Sequence, residues 1–286
     1  MRARQNFLRA AMNNRPVIFI DSGIGGIPYC MDFIKRNPHE AVCYLADREN
    51  FPYGPHGKED LISILIALTE KVINLTDPKI AVLACNSATV SAIAALRQIF
   101  PQIPFVGTVP AIKPAVNASV NRKIGVLGTE RTIGDSYNQS LAANSEFPVE
   151  IFGVAAPELV DFVERRLEKA DEKEKTEIVK KYIEIFRGEG ADAIVLGCTH
   201  FLHLVDEFRR EADPSIKIFD SLDGITKRIE YLLDEDSGAL RAGKKSTAGK
   251  TTPFHRLILT GKESADSVWK KRASALGFKL NLLSEI

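Results

Sequence analysis

The sequence predicts an α/β fold of two pseudo-symmetric lobes, each a mostly parallel sheet flanked by helices. Three observations predict it. Short apolar, β-branched runs alternate with longer amphipathic stretches, the pattern of βα units. A strand-and-cysteine segment occurs twice, at 80–89 and at 193–202. The 286 residues are enough for a sizeable core shared between two lobes.

The strand candidates, in chain order, are 17–20, 41–45, 80–84, 105–106, 124–127, 149–152, 193–196, 216–219 and 256–259. Each is a short apolar run rich in Val, Ile, Leu or Phe, as buried parallel strands are. Amphipathic stretches at 61–75, 88–100 and 158–186 read as helices between them. Within the last of these, 164–181 is dense in both charge signs and reads as a solvated helix face with i,i+4 pairs. The polar, basic stretch 237–253 reads as an exposed connection before the strand at 256–259. In a parallel sheet, ligands bind at the carboxyl ends of the strands, so those ends are where chemistry is sought.

Composition narrows the function classes. Hydrophobic residues make up 45%, charged residues 26%, and the formal net charge is +1. That gives no electrostatic reason to expect nucleic acid as a partner. No apolar run approaches the roughly 18 residues of a membrane span. The start, with Arg2, Arg4, Arg9 and Arg15, lacks the features of a signal peptide and reads as a frayed terminus. A cytoplasmic location follows as the expectation, with all four cysteines reduced.

The repeat places two of those cysteines alike. Ile80-Ala-Val-Leu-Ala-Cys85-Asn-Ser aligns with Ala193-Ile-Val-Leu-Gly-Cys198-Thr-His, and Val17-Ile-Phe-Ile-Asp-Ser-Gly aligns more weakly with Ile124-Gly-Val-Leu-Gly-Thr. Lobes related by a pseudo-twofold axis would set Cys85 and Cys198 at equivalent strand ends facing one cleft. Cys30 and Cys43 sit in apolar patterned runs and read as core, where free cysteine is a small hydrophobe. Cys85 and Cys198 each end a strand and precede hydrogen-bonding residues, Asn86-Ser87 and Thr199-His200. Two thiols on opposite sides of a substrate suit one demanding reaction, the inversion of an amino-acid Cα. One group removes a weakly acidic proton from one face; the other returns a proton to the opposite face. A thiol titrates near pH 8.5, close enough to working pH to serve in both roles.

In order along the chain stand Asp21-Ser-Gly-Ile-Gly-Gly26, Phe51-Pro-Tyr-Gly54, Ala84-Cys-Asn-Ser-Ala88, Val109-Pro-Ala-Ile-Lys-Pro-Ala115, Gly125-Val-Leu-Gly-Thr129 and Gly197-Cys-Thr-His200. Together these segments resemble the glutamate racemase family, within the aspartate/glutamate racemase superfamily. The resemblance implies interconversion of L- and D-glutamate without cofactor or metal, supplying D-glutamate for peptidoglycan. It implies Cys85 as the thiol acting on the D-enantiomer and Cys198 as the thiol acting on the L-enantiomer, with Asp21 and His200 beside them. It implies Asp21, Ser22, Tyr53, Gly54, Asn86, Ser87, Thr199 and His200 as substrate-binding residues, and Glu164 as a further site residue. The family topology implies one lobe from residues 1–108 with 218–286, another from 109–217, and the active site between them. The expected partner is a small amino-acid substrate, and a homodimer is open to the chain. The sequence departs from the family with Phe201-Leu202 and then His203 in place of Tyr-Pro, and with Asp161 in place of proline. Neither change touches a thiol; both fall where they could alter the lining near Cys198.

Competing readings have specific weaknesses. Asp21-Ser-Gly-Ile-Gly-Gly26 with Asp47 after the next strand imitates a dinucleotide fingerprint, but its third glycine position is Pro28. Gly243-Lys-Lys-Ser-Thr-Ala-Gly-Lys-Thr251 imitates a phosphate loop, yet its glycines are a residue too far apart and it precedes a strand. Cys198, His200 and His203 lack a common zinc spacing and a fourth ligand. A thiol hydrolase leaves the second mirrored cysteine unexplained, and a two-lobed binding module needs no reactive thiols. A racemase of another amino acid, such as aspartate, stays open on the residues alone.

Overall fold

Short apolar segments of three to six residues form parallel strands here because helices can cover both faces of each sheet. The computed structural model describes residues 15–134, 148–212, 214–241, 253–261 and 267–285. The strands are β1 (Val17–Asp21), β2 (Val42–Ala46), β3 (Ile80–Leu83), β4 (Phe105–Gly107), β5 (Lys123–Gly128), β6 (Glu150–Ala155), β7 (Ala193–Leu196), β8 (Lys217–Phe219), β9 (Arg256–Leu259) and β10 (Lys279–Leu282). They make two sheets, ordered β10-β9-β2-β1-β3-β4 and β6-β5-β7-β8, with every neighbouring pair parallel. Without β9 and β10 the two orders correspond strand for strand. β1 matches β5, β2 matches β6, β3 matches β7 and β4 matches β8. The repeat in the sequence is therefore a repeat in topology, and β3 and β7, which lead into the two cysteines, are equivalent.

The helices are α1 (Ile27–Arg36), α2 (Lys58–Thr76), α3 (Asn86–Ile99), α4 (Ile112–Ala118), α5 (Glu130–Ile133), α6 (Pro157–Arg165), α7 (Glu172–Gly188), α8 (Val205–Glu211), α9 (Leu222–Arg241) and α10 (Ser267–Leu276). Short 3₁₀ turns cover Arg48–Asn50 and Thr199–Leu204. One apolar cluster joins the two sheets, with Phe19 and Tyr44 of the first packed in a common core with Leu127 and Leu196 of the second. Among the described residues no helix is long and apolar enough to cross a membrane.

Three expectations change. The helix expected over 158–186 is two helices, α6 and α7, because Asp171 starts a new one: its carboxylate accepts from the Glu174 N–H at 2.8 Å, and the Glu174 carboxylate accepts from the Asp171 N–H at 3.3 Å. The charged stretch 164–181 is solvated along α7, where Lys173 pairs with Glu177, but its first member, Glu164, is buried. The connection expected from 237 begins later, since α9 continues to Arg241; residues 242–252, and with them the whole of the phosphate-loop imitation, lie outside the described residues, as do 1–14. The edge strand β10 has no counterpart among the strands expected from the sequence.

Candidate active site

The carboxyl ends of β1, β3, β5 and β7 converge on one cavity of about 240 Å³. Ser22 follows β1, Cys85 to Ser87 follow β3, Thr129 and Glu130 follow β5, and Cys198 to His200 follow β7. Pro52 to Pro55 close one side, and Pro157 and Val160 of α6 another. Cys85 and Cys198, one from each sheet, both line this space. Each is the N-cap of the turn after its strand, in extended backbone, so the sulfur stands where a helix begins.

Around Cys198 the side chains form a chain of contacts. The His200 Nδ1 lies 3.8 Å from the Cys198 sulfur, and the His200 Nε2–H donates to Glu164 Oε1 at 3.0 Å. Glu164 Oε1 also accepts the Ile24 N–H at 2.7 Å, and Glu164 Oε2 pairs with Arg48 at 3.3 Å. Burial pushes the Glu164 carboxyl up, but the hydrogen bond and charge of His200, then Arg48 and Ile24, outweigh it and hold the group below its usual range. Burial likewise pushes His200 down, while Cys198 and Glu164 hold the imidazole well above its usual value. His200 is thus poised to keep a proton beside the Cys198 sulfur or exchange one with it.

Around Cys85 the setting differs. Its thiol is pushed well up by burial and then by the nearby Asp21, against the backbone N–H groups of Ala88 and Ser87. Asp21 is fully buried, and burial raises its carboxyl despite the His200 charge. It accepts from the Gly23 N–H at 2.9 Å and from Thr199 Oγ1 at 3.2 Å. Cys30 and Cys43 do not line the cavity; burial pushes Cys43 up to about 12 and Cys30 well above its usual value.

Of the residues singled out in the sequence, Ser22, Tyr53, Gly54, Cys85, Asn86, Ser87, Cys198, Thr199 and His200 line the cavity. Asp21 and Glu164 stand behind that lining, each bonded to a residue that belongs to it. The Tyr53 hydroxyl is turned away and donates to the buried Asp47 at 2.8 Å. Asn86 Nδ2 donates to the Gly197 carbonyl at 2.5 Å, leaving its buried Oδ1 without a partner among the described residues. Pro55, Thr129, Glu130, Pro157, Val160 and the more remote Arg48 are not among the site residues expected from the sequence. Thr129 had a signal, since it occupies in the weaker repeat the place that Ser22 holds after β1.

The glycines after Asp21 serve packing. A Cβ at Gly23 would stand 1.7 Å from Glu164 Oε1, and one at Gly25 2.5 Å from both His200 Nδ1 and Thr199 Oγ1. The loop approaches the Cys198 wall closely, which accounts for its glycines without a bound pyrophosphate. His203 donates to the Ile24 carbonyl at 2.9 Å and braces the same loop.

The family model described as Asp/Glu/Hydantoin racemase matches residues 34–228. The chain is 36% identical over 226 residues to the glutamate racemase of Shewanella sp. (strain ANA-3), covering 78% of this chain and 80% of that protein. It is 39% identical over 219 residues to the glutamate racemase of Treponema pallidum (strain Nichols), covering 77% and 81%. The chain belongs to the glutamate racemase family. Among solved structures, the Escherichia coli glutamate racemase in complex with L-glutamate and the activator UDP-MurNAc-ala superposes with a TM-score of 0.77 at 26% identity, covering 94% of this chain and 97% of that one. A glutamate racemase isoform from Bacillus anthracis gives 0.76 at 29% identity, with the same coverage. The departures from the family pattern lie off the cavity. Phe201 and Leu202 are buried in the core, and Asp161 is on the surface, paired with Arg165 at 2.7 Å.

Proposed function

We propose that this protein interconverts L- and D-glutamate by direct proton transfer at Cα, with Cys198 acting on the L-enantiomer and Cys85 on the D-enantiomer. The observation that carries the reading is the pair of thiols at equivalent strand ends of two sheets, lining one cavity. A substrate held between them presents opposite faces of Cα to the two sulfurs. Its ammonium group brings a positive charge into a buried site, which favours a thiolate over a thiol. Asn86 Oδ1 is an unused acceptor for that ammonium among the described residues. Ser22, Ser87, Thr129 and Thr199 offer hydroxyls to the carboxylates, and Gly54 leaves space on the side of Ser87 and Thr129. Asp21 and His200 manage the protons of the two thiols, and Glu164 orients His200.

The lobes are taken as residues 1–108 with 218–286 and residues 109–217, with the second boundary moved to the end of β8, because Lys217–Phe219 is a strand of the second sheet. The chemistry assigned to the site asks for no cofactor or metal. The role is supply of D-glutamate for peptidoglycan in the cytoplasm; a homodimer is compatible with it. The test is a chiral assay with L-glutamate and, separately, L-aspartate, after dialysis against chelator and hydroxylamine. The expected outcome is D-glutamate from L-glutamate with nothing added. Activity restored only by pyridoxal phosphate or a metal would overturn the mechanism, and turnover of aspartate alone would overturn the substrate.

A further inference from the structure

Arg48 touches neither thiol and does not line the cavity, yet two routes lead from it to the imidazole beside Cys198. It follows β2 and opens the 3₁₀ turn Arg48–Asn50. One route is ionic: its guanidinium meets Glu164 Oε2 at 3.3 Å, and Glu164 Oε1 accepts from His200 at 3.0 Å. The other is through rings: the guanidinium carbon lies 4.4 Å from the centre of the Phe51 ring, and that ring is 6.4 Å from the imidazole of His200.

The guanidinium is itself held. Its carbon is 5.6 Å from the ring centre of Trp269 on α10, and Arg272 of the same helix lies 4.9 Å from that ring and donates to the Glu164 backbone carbonyl at 2.9 Å. A planar, delocalised cation can pair with a carboxylate and lie over a ring at once; an ammonium cannot hold both geometries. Glu164 has a side chain only 2% exposed, and Oε2 would lose its ionic partner without Arg48. A buried carboxylate left so is costly and turns or protonates. The Cys85 side is built differently: there Asp21 is held by Gly23, Ser22 and Thr199, none of them a cation.

We propose that Arg48 is a positioning residue for the Cys198 half of the reaction: it fixes the Glu164 carboxylate against His200, and through it the imidazole against the sulfur. The proposal rests on the racemase reading above. Its consequence is one-sided. Mirror-image substrates have equal free energy, so kcat/KM must remain equal in the two directions in any variant. The asymmetry shows instead in which proton transfer limits the rate.

The experiment compares wild type with Arg48→Met and Arg48→Lys, using glutamate deuterated at Cα in each enantiomer. Arg48→Met should lower kcat about tenfold or more with KM little changed, as misplacement of a reacting group by a fraction of an ångström does. The isotope effect on kcat/KM should rise for deuterated L-glutamate relative to deuterated D-glutamate, because transfer at Cys198 becomes the slower step. Arg48→Lys, which keeps the charge and loses the fork, should show the same change in smaller measure. A purely structural loss would lower the active fraction and leave the ratio of isotope effects where it is in wild type. Wild-type turnover with an unchanged ratio in Arg48→Met overturns this proposal alone; absence of turnover in wild type overturns the racemase reading on which it stands.

Discussion

Four thiols of one chemical type take two kinds of place in this molecule, and the place decides what each can do. Cys30 and Cys43 are 1% exposed, sit within the packing of α1 and β2, and face no cavity. Cys85 and Cys198 are little more exposed, at 8% and 6%, but that exposure is to the cavity between the sheets. Cys85→Ala and Cys198→Ala should each abolish racemisation with secondary structure and melting temperature nearly unchanged. Cys30→Ala and Cys43→Ala should keep turnover and lose about 1 kcal/mol of stability, as small core truncations do. Turnover near the wild-type level in Cys85→Ala or Cys198→Ala, measured beside circular dichroism, would rule out the paired-thiol assignment. Tyr53 shows why a residue's identity can be legible and its role not. The family resemblance marks it as a substrate-binding residue; it lines the cavity, but its hydroxyl belongs to Asp47, a partner six residues back that only folding brings near.

At the scale of the element, the loop from β1 to α1 is what lets the two sheets approach. Gly23 and Gly25 carry no Cβ because Glu164, His200 and Thr199 of the other sheet's connections occupy that space. Glu164 cannot swing aside, being held by Ile24, His200 and Arg48 together. Gly23→Ala should therefore cost about tenfold to a hundredfold in kcat, in line with a shift of the catalytic constellation by an ångström. Gly224→Ala on α9, where an added Cβ meets nothing within 4 Å, should leave turnover unchanged and melting unchanged or slightly raised. Normal kinetics in Gly23→Ala would show that the loop yields and that its glycines serve another end. The inner strands written in apolar β-branched runs, such as β1, β3 and β7, were legible because burial on both faces demands that composition; the edge strands β6 and β8, which are only partly buried, were legible from their short apolar runs. The edge strand β10, Lys-Leu-Asn-Leu, carries too little apolar run to announce itself. The break between α6 and α7 was in fact written, as Asp171 three residues before Glu174, and the surrounding helical periodicity masks it. The contact of Glu164 with Arg48 spans 116 positions and has no local signature at all.

At the scale of the molecule, the two sheets are joined through the residues of the site itself. Asn86 reaches the Gly197 carbonyl, Thr199 reaches Asp21, Ser87 meets Thr129 at 3.2 Å, and Arg131 of α5 bonds the carbonyls of Gly54 and His56. The contacts that join the two sheets therefore also set the two thiols on opposite walls of one cavity. On the proposed reading, a substrate filling this cavity covers both thiols, each already largely buried, and slows exchange of their protons with solvent. The two walls then keep separate proton inventories, and that separation can be read. Let L-glutamate react in heavy water and be stopped early. On the proposed roles, Cys198 takes the substrate proton on one face, and Cys85, already equilibrated with solvent, delivers deuterium on the other. The D-glutamate formed early should carry deuterium at Cα, and the remaining L-glutamate almost none. Starting from D-glutamate, the pattern should invert, with label in the L-product alone. A single base reaching both faces would return the substrate's own proton to the product or label both enantiomers alike. Comparable early label in recovered starting material and product, by mass spectrometry after chiral separation, would mean that one group serves both faces or that the thiols exchange during turnover. Either result would be incompatible with two closed walls, each holding its own proton beside one face of Cα.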